Sequence, residues 1–148
     1  MSRMEAIRSS LGASRKVFAG ILPSTFLRNG IENEHLAEQR HLTARAVFSA
    51  LDQLMCLHRL DADVPILVLG GRGYIASEVL RLCAGRRVSS VDVGERDEFC
   101  RFVADHDRRP VVVINLTKSG ALSEYAGKFW PGTIVLNEVY PEPSASEI

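Results

Sequence analysis

Leu67-Val68-Leu69-Gly70-Gly71-Arg72-Gly73-Tyr74-Ile75-Ala76 is the stretch on which the fold of this chain turns. An apolar run ends in a G-x-G-x-x-A pattern at Gly71, Gly73 and Ala76, and a run of helical character follows. Strand, glycine turn and helix in that order form the context a dinucleotide-binding fingerprint requires. The first glycine permits the tight turn, the second lets backbone approach a pyrophosphate, and the small third residue lets helix pack on strand. The helix N-terminus would offer free N–H groups and the positive end of its dipole to phosphates. Asp92 lies 21 residues beyond Gly71, at the end of the next predicted strand, where a carboxylate would hold the ribose hydroxyls of NAD. A phosphate on that ribose would meet Asp92 unfavourably unless Arg86, Arg87 or Arg96 compensated. Gly71, Gly73, Ala76 and Asp92 are therefore the candidate NAD(P) site. The competing reading is a structural turn that holds no nucleotide and a chain with no cofactor.

Outward from this turn, strands and helices alternate. Pro65–Leu69 reads as a strand buried on both faces. Tyr74–Ala84 reads as a helix ending at Gly85, Arg87–Val91 as a second strand and Glu95–Asp105 as a second helix. Val111–Ile114 is a third buried strand, Ser119–Phe129 a helix and Thr133–Leu136 a fourth strand. Such alternation implies βαβ units, a parallel sheet and right-handed crossovers. The fold class expected is α/β. The polar tail after Pro141 is expected to fray.

The N-terminal part, residues 1–61, is expected to be mainly helical, and residues 62–148 to form the sheet domain. Met1–Leu11 reads as a short amphipathic helix. Arg15–Phe26, broken by Pro23, reads as a short strand or packed arm, and Asn29-Gly30 as a turn. Residues 33–60 are the clearest helix, with Asn33 as candidate N-cap and Glu34 in the first turn. Leu36, Leu42, Ala46, Val47, Ala50, Leu51, Leu54, Met55 and Leu60 recur at helical spacing. So long a stripe needs a long partner, and a second copy of the chain is one candidate.

Composition narrows the classes. The 148 residues suit one domain, and 46% hydrophobic with 24% charged residues are ordinary globular values. Lys plus Arg equals Asp plus Glu at 18 each, so no net charge draws the chain to nucleic acid or an anionic membrane. No apolar run approaches the roughly 20 residues that span a bilayer. Val17–Leu22 is too short for a signal-peptide core, so a cytoplasmic protein is expected. Three cysteines, Cys56, Cys83 and Cys100, lack CxxC spacing and are expected to be buried free thiols.

Residues 64–144 resemble the Rossmann domain of shikimate dehydrogenase and related amino-acid dehydrogenases. Val68–Ala76 resembles the phosphate-binding turn. Asn115 and Thr117 match an I-N-A-T-P-like strand end that lies near the nicotinamide in that family. Val139, Tyr140 and Pro143 match loosely a following D-x-V-Y-x-P-like segment, with Asn137 or Glu138 near its acidic position. The resemblance implies a shortened Rossmann-like parallel sheet of about four strands with flanking helices and a helical N-terminal arm. If Val111–Ile114 corresponds to the family's fourth strand, the order is second, first, third, fourth. The family's catalytic Lys and Asp belong to a preceding substrate domain that has no match here; Lys16 has no such context. No catalytic residue is assigned. A second likeness, at the level of class and without matched residues, is to peptide-binding accessory proteins of ribosomal peptide natural product biosynthesis.

In such a sheet, ligands bind beyond the carboxyl ends of the strands where the strand order switches. The expected ligand rim is Arg72, Tyr74, Asn115, Thr117, Lys118 and Glu138, with Arg72 and Lys118 able to hold an anion. Their plain alternative is solvated loop charge. No metal site is expected: the spacing of His35 and His41 separates them on a helix, and Cys56 and His58 point apart. His106 suits a helix C-terminus as a cation. Cys100 lacks a base, the serines lack a nucleophile elbow, and Trp130 reads as packing.

Two functions are expected in competition. One is a non-catalytic accessory protein that binds a peptide, small ligand or partner enzyme. The other is a small NAD(P)-dependent oxidoreductase or its cofactor-binding subunit. Two open sheet edges make a homodimer the economical assembly.

Overall fold

A computed structural model describes residues 29–30, 34–118 and 120–139; for Glu34 and His35 it describes the backbone alone. The readings of Met1–Leu11, Arg15–Phe26, Asn33, Ser119, Tyr140, Pro143 and the tail lie outside the described residues. By packing, the chain divides into a unit of residues 1–42 and a unit of residues 43–148, with the boundary inside the first helix described. In the first unit, Asn29-Gly30 forms the expected turn, with Gly30 at φ +67°, and Leu36 is buried.

Residues 43–148 contain an α/β fold. The elements in order are α1 (Glu34–Leu57), β1 (Ile66–Leu69), α2 (Ala76–Leu82), β2 (Val88–Val91), α3 (Arg96–His106), β3 (Val111–Asn115), α4 (Ser123–Ala126) and β4 (Thr133–Asn137). The four strands are all parallel and stand in the order β2-β1-β3-β4, as expected.

Alternation along the central strands builds two cores. Ile66, Val68, Val112 and Ile114 face Ala44, Val47, Leu51 and Met55 of α1 and Ala76 and Val79 of α2. Leu67, Leu69, Val111 and Val113 face Phe99 and Phe102 of α3 and Leu122 and Tyr125 around α4. Both faces of β1 and β3 are thus covered, which is why their sequences are continuous apolar runs rather than alternating ones. Phe99 stacks against Tyr125 with ring centroids 4.7 Å apart. Burial of side chains of this size contributes roughly 1.5–3 kcal/mol each.

The buried stripe of α1 differs from the expected one. Leu42 is 59% exposed and Ala46 is exposed, whereas Ala44 is fully buried and Phe48 packs at the core margin. The helix face is selected by the sheet, which seats small Ala44 one turn before Val47 and Phe48. From Ala44 onward the stripe finds its partner in the chain's own sheet. The helix ends at Leu57, three residues before the predicted limit. Leu60 N–H donates to Met55 O at 2.9 Å and Arg59 N–H to Cys56 O at 3.1 Å, with Arg59 at φ +53°. That is a Schellman terminus with arginine where glycine is usual, and Leu60 folds back on the core.

Two further boundaries are shorter than predicted. Helix α2 begins at Ala76 because Gly73 and Tyr74 remain in the turn, and it stops at a Cys83 cap before Gly85 at φ +92°. Helix α4 is a single turn between Gly120 at φ +81° and Gly127.

Cys83 alone of the cysteines is buried; Cys56 and Cys100 are exposed, and all three are free. Burial raises the Cys83 thiol, slightly offset by Arg86. His106 also departs from expectation. It closes α3, but its ring is buried 4.5 Å from the Phe102 centroid and Nδ1 has no hydrogen-bond partner. Trp130 packs against the second core and donates to Arg109 O at 2.8 Å. No described helix is long and apolar enough to cross a membrane.

Candidate functional site

The switch in strand order lies between β1 and β3. From β1 the chain crosses to β2 on one face and returns to β3 on the other, so the loops after β1 and β3 diverge there. In this fold the divergence is narrow. Gly70, at φ +86°, lies so close to the β3 loop that a Cβ on it would stand 3.0 Å from the Leu116 carbonyl carbon and oxygen.

All three glycines of the turn have partners in the fold itself. A Cβ on Gly71 would stand 2.8 Å from Ser90 Cβ, and one on Gly73 would stand 3.0 Å from Gly70 O. The amides are committed as well. Gly70 N–H donates to Val91 O at 2.8 Å, Gly71 N–H to the same oxygen at 3.4 Å, and Gly73 N–H to Gly70 O at 2.8 Å. Arg72 N–H donates to Asp92 Oδ2 at 3.2 Å, and Ala76 N–H to Gly73 O at 3.2 Å. Ala76 is fully buried under the sheet, as its helix-packing role requires. Helix α2 has seven residues and no side-chain cap.

Asp92 stands beside the glycine turn at the end of β2. Besides Arg72 it accepts from Val93 N–H at 2.8 Å, so both carboxylate oxygens hold backbone. Glu95 completes this group: it accepts from Asp92 N–H at 2.8 Å and pairs with the Arg72 guanidinium. Arg72 is exposed, yet its charge is answered within the chain. Glu95 escaped the sequence reading, although D-x-x-E before an apolar helix is a capping-box spacing that would have revealed it. Ser90 also escaped, since its closeness to Gly71 depends on strand register.

A second cluster lies across the crevice. Asn115, 1% exposed, donates from Nδ2 to Asn137 Oδ1 at 2.7 Å. Its Oδ1 accepts from Thr117 Oγ1 at 2.6 Å and Thr117 N–H at 3.3 Å. Asn137 passes a further bond from Nδ2 to Val139 O at 2.9 Å. This relay fixes the loops after β3 and β4. Glu138 N–H donates to Asn115 O at 3.1 Å, and partial burial raises the Glu138 carboxyl above its ordinary value although the residue is largely exposed.

The rim residues thus fall into two groups. Arg72 and Asp92 belong with Gly71 and Gly73, while Asn115, Thr117 and Glu138 belong with Asn137. Tyr74 is half-buried in the turn and Lys118 is exposed. Among the described residues no three His, Cys, Asp or Glu side chains are arranged to hold a metal ion. No protein-family profile, curated protein or solved structure matches this chain.

Proposed function

We propose that the chain is a non-catalytic binding protein on a shortened Rossmann-like scaffold, taking an extended peptide along its β2 edge. This is the behaviour of an accessory protein that presents a peptide to a biosynthetic enzyme. The observation that carries the reading is the internal use of the glycine turn. The N–H groups of Gly71, Arg72 and Gly73 bond to Val91 O, Asp92 Oδ2 and Gly70 O within the chain.

Support for the peptide comes from the parity of β2. Ile66 N–H donates to Arg87 O and Gly70 N–H to Val91 O, so the odd residues of β2 face β1. Val88 and Ser90 consequently turn their backbone groups away from the sheet. An extended peptide adds to such an edge by main-chain hydrogen bonds. Ser89 and Ser90 are exposed and uncharged, so the edge carries none of the charged side chains that discourage strand addition.

The test is calorimetric titration of the full chain with NADH and NADPH, and an array of extended decapeptides probed with wild type and Ser90→Pro. The reading expects no heat from either nucleotide at millimolar concentration, and array binding that Ser90→Pro removes. Proline at an outward-facing position leaves the β1 ladder whole. Micromolar nucleotide binding would overturn it in favour of the NAD(P)-dependent oxidoreductase or subunit. One observation favours that second reading: Asp92 stands at the end of β2 beside the turn, where ribose hydroxyls are held.

A further inference from the structure

The other sheet edge supports an inference independent of what β2 binds. Val111 N–H donates to Gly132 O and Glu138 N–H to Asn115 O. With the parallel register Val111↔Thr133 to Asn115↔Asn137, the even residues of β4 face β3. Val135 and Asn137 therefore present their N–H and C=O groups outward, and Thr133 its C=O, while Thr133 N–H donates to Trp130 O at 3.0 Å. Among the described residues β4 ends the sheet.

We propose that β4 is a self-association edge: two copies pair β4 antiparallel about a two-fold axis at Val135, fusing two four-stranded sheets into one.

In antiparallel pairing, residues directly opposite both face the seam or both face away from it. Parity then admits a register centred on Val135. It sets Val135 against Val135, Ile134 against Leu136 and Thr133 against Asn137 of the second copy. The five-residue strand Thr-Ile-Val-Leu-Asn is self-complementary in that register, apolar on apolar and polar on polar, and an isologous two-fold requires such matching. Leu136 borders the first core and Val135 the second, so both cores continue across the seam. All five residues are only half-buried in the single chain. The strand has no proline and no charge, the devices that protect an edge meant to stay free.

Charge complementarity points to the same occupant. In this register Glu138 lies opposite Gly132 of the second copy. Gly132 adjoins Pro110, whose Cα would be 3.9 Å from a Cβ placed there, and Arg109 precedes Pro110 with an exposed side chain. The two-fold thus sets each Glu138 beside the segment of the second copy that carries Arg109, an opposite charge, twice per dimer. In the single chain that carboxyl is raised by burial alone.

The test is sedimentation of the full chain across the micromolar range, with two variants. Wild type is expected to sediment as a dimer. Val135→Pro removes the central outward N–H from the seam but no bond to β3. It is expected to be monomeric with an unchanged circular dichroism spectrum. In a Cys56→Ser/Cys100→Ser background, Val135→Cys is expected to cross-link to itself on mild oxidation, since the opposed Cα atoms would be about 5.5 Å apart. Ile134→Cys, whose own copy lies beyond about 7 Å in this register, is expected not to cross-link. A chain that is monomeric at every concentration overturns the proposal. So does a dimer that survives Val135→Pro and leaves Val135→Cys uncross-linked.

Discussion

The backbone N–H of Arg72 donates to Asp92 Oδ2 at 3.2 Å, and this bond ties the glycine turn after β1 to the end of β2. An acidic residue some twenty positions beyond a glycine turn is the spacing of a ribose-binding carboxylate. In this chain the same spacing closes a loop. Asp92→Ala removes the acceptor for both Arg72 and Val93. We expect a loss of about 1–2 kcal/mol in urea unfolding, given two partly exposed bonds of about 0.5–1.5 kcal/mol each. Asp92→Asn, which keeps one acceptor oxygen, should lose less.

Gly71 and Ser90 are coupled through space. Gly71→Ala places a methyl 2.8 Å from Ser90 Cβ and should cost roughly 1–3 kcal/mol by overpacking. Ser90→Gly removes the obstacle, so Gly71→Ala/Ser90→Gly should be more stable than the sum of the single changes predicts. A double-mutant cycle by urea titration measures that coupling. Additive losses would mean that Gly71 is needed for something other than this contact.

Asn115 is the buried centre of the second cluster. Asn115→Ala leaves Thr117 N–H and Asn137 Oδ1 without their partner and should cost about 2–3 kcal/mol. Hydrogen exchange should quicken at Thr117 and Val139 while β1 stays protected.

Arg59 occupies a left-handed conformation that costs a non-glycine residue roughly 1–2 kcal/mol. Arg59→Gly relieves it, with part of the gain offset by the greater freedom of glycine in the unfolded chain. The expected outcome is a gain of about 0.5–1 kcal/mol, seen as a higher urea midpoint with an unchanged slope.

Glu138 gives a pH signature. Its folded-state pKa is raised above the ordinary 4.5 by burial, so folding favours the protonated form. The stability it contributes is fully present below 4.5 and is lost as pH rises through the raised value. Glu138→Gln cannot titrate and should not show this loss. Urea midpoints of Val135→Pro with and without Glu138→Gln, measured from acid to neutral pH, check it without interference from self-association.

Most of the sheet was legible from local pattern. The buried runs at residues 66–69 and 111–114 and the glycine turn are statements about which faces must avoid water and where backbone must bend. Strand alternation with helices then leaves few topologies. The buried face of α1 was not legible in full, because Leu42 and Ala44 compete on hydrophobicity and only the sheet beneath selects Ala44. The exposure of Cys56 and Cys100 and the burial of His106 depended likewise on which neighbours the fold supplied.

The sequence by itself determined the α/β class and the positions of the turns, since these follow from hydrophobic period and from glycine at strained backbone; the strand order was implied by the resemblance to the dehydrogenase family. Tertiary structure decided what the glycine turn touches. A G-x-G-x-x-A pattern carries the same residues whether its amides face a pyrophosphate or the chain's own carbonyls. Here Val91 O, Asp92 Oδ2 and Gly70 O lie within 3.4 Å of those amides, and Ser90 lies where a Cβ on Gly71 would stand. Those distances, which no spacing along the chain encodes, were decided by the fold.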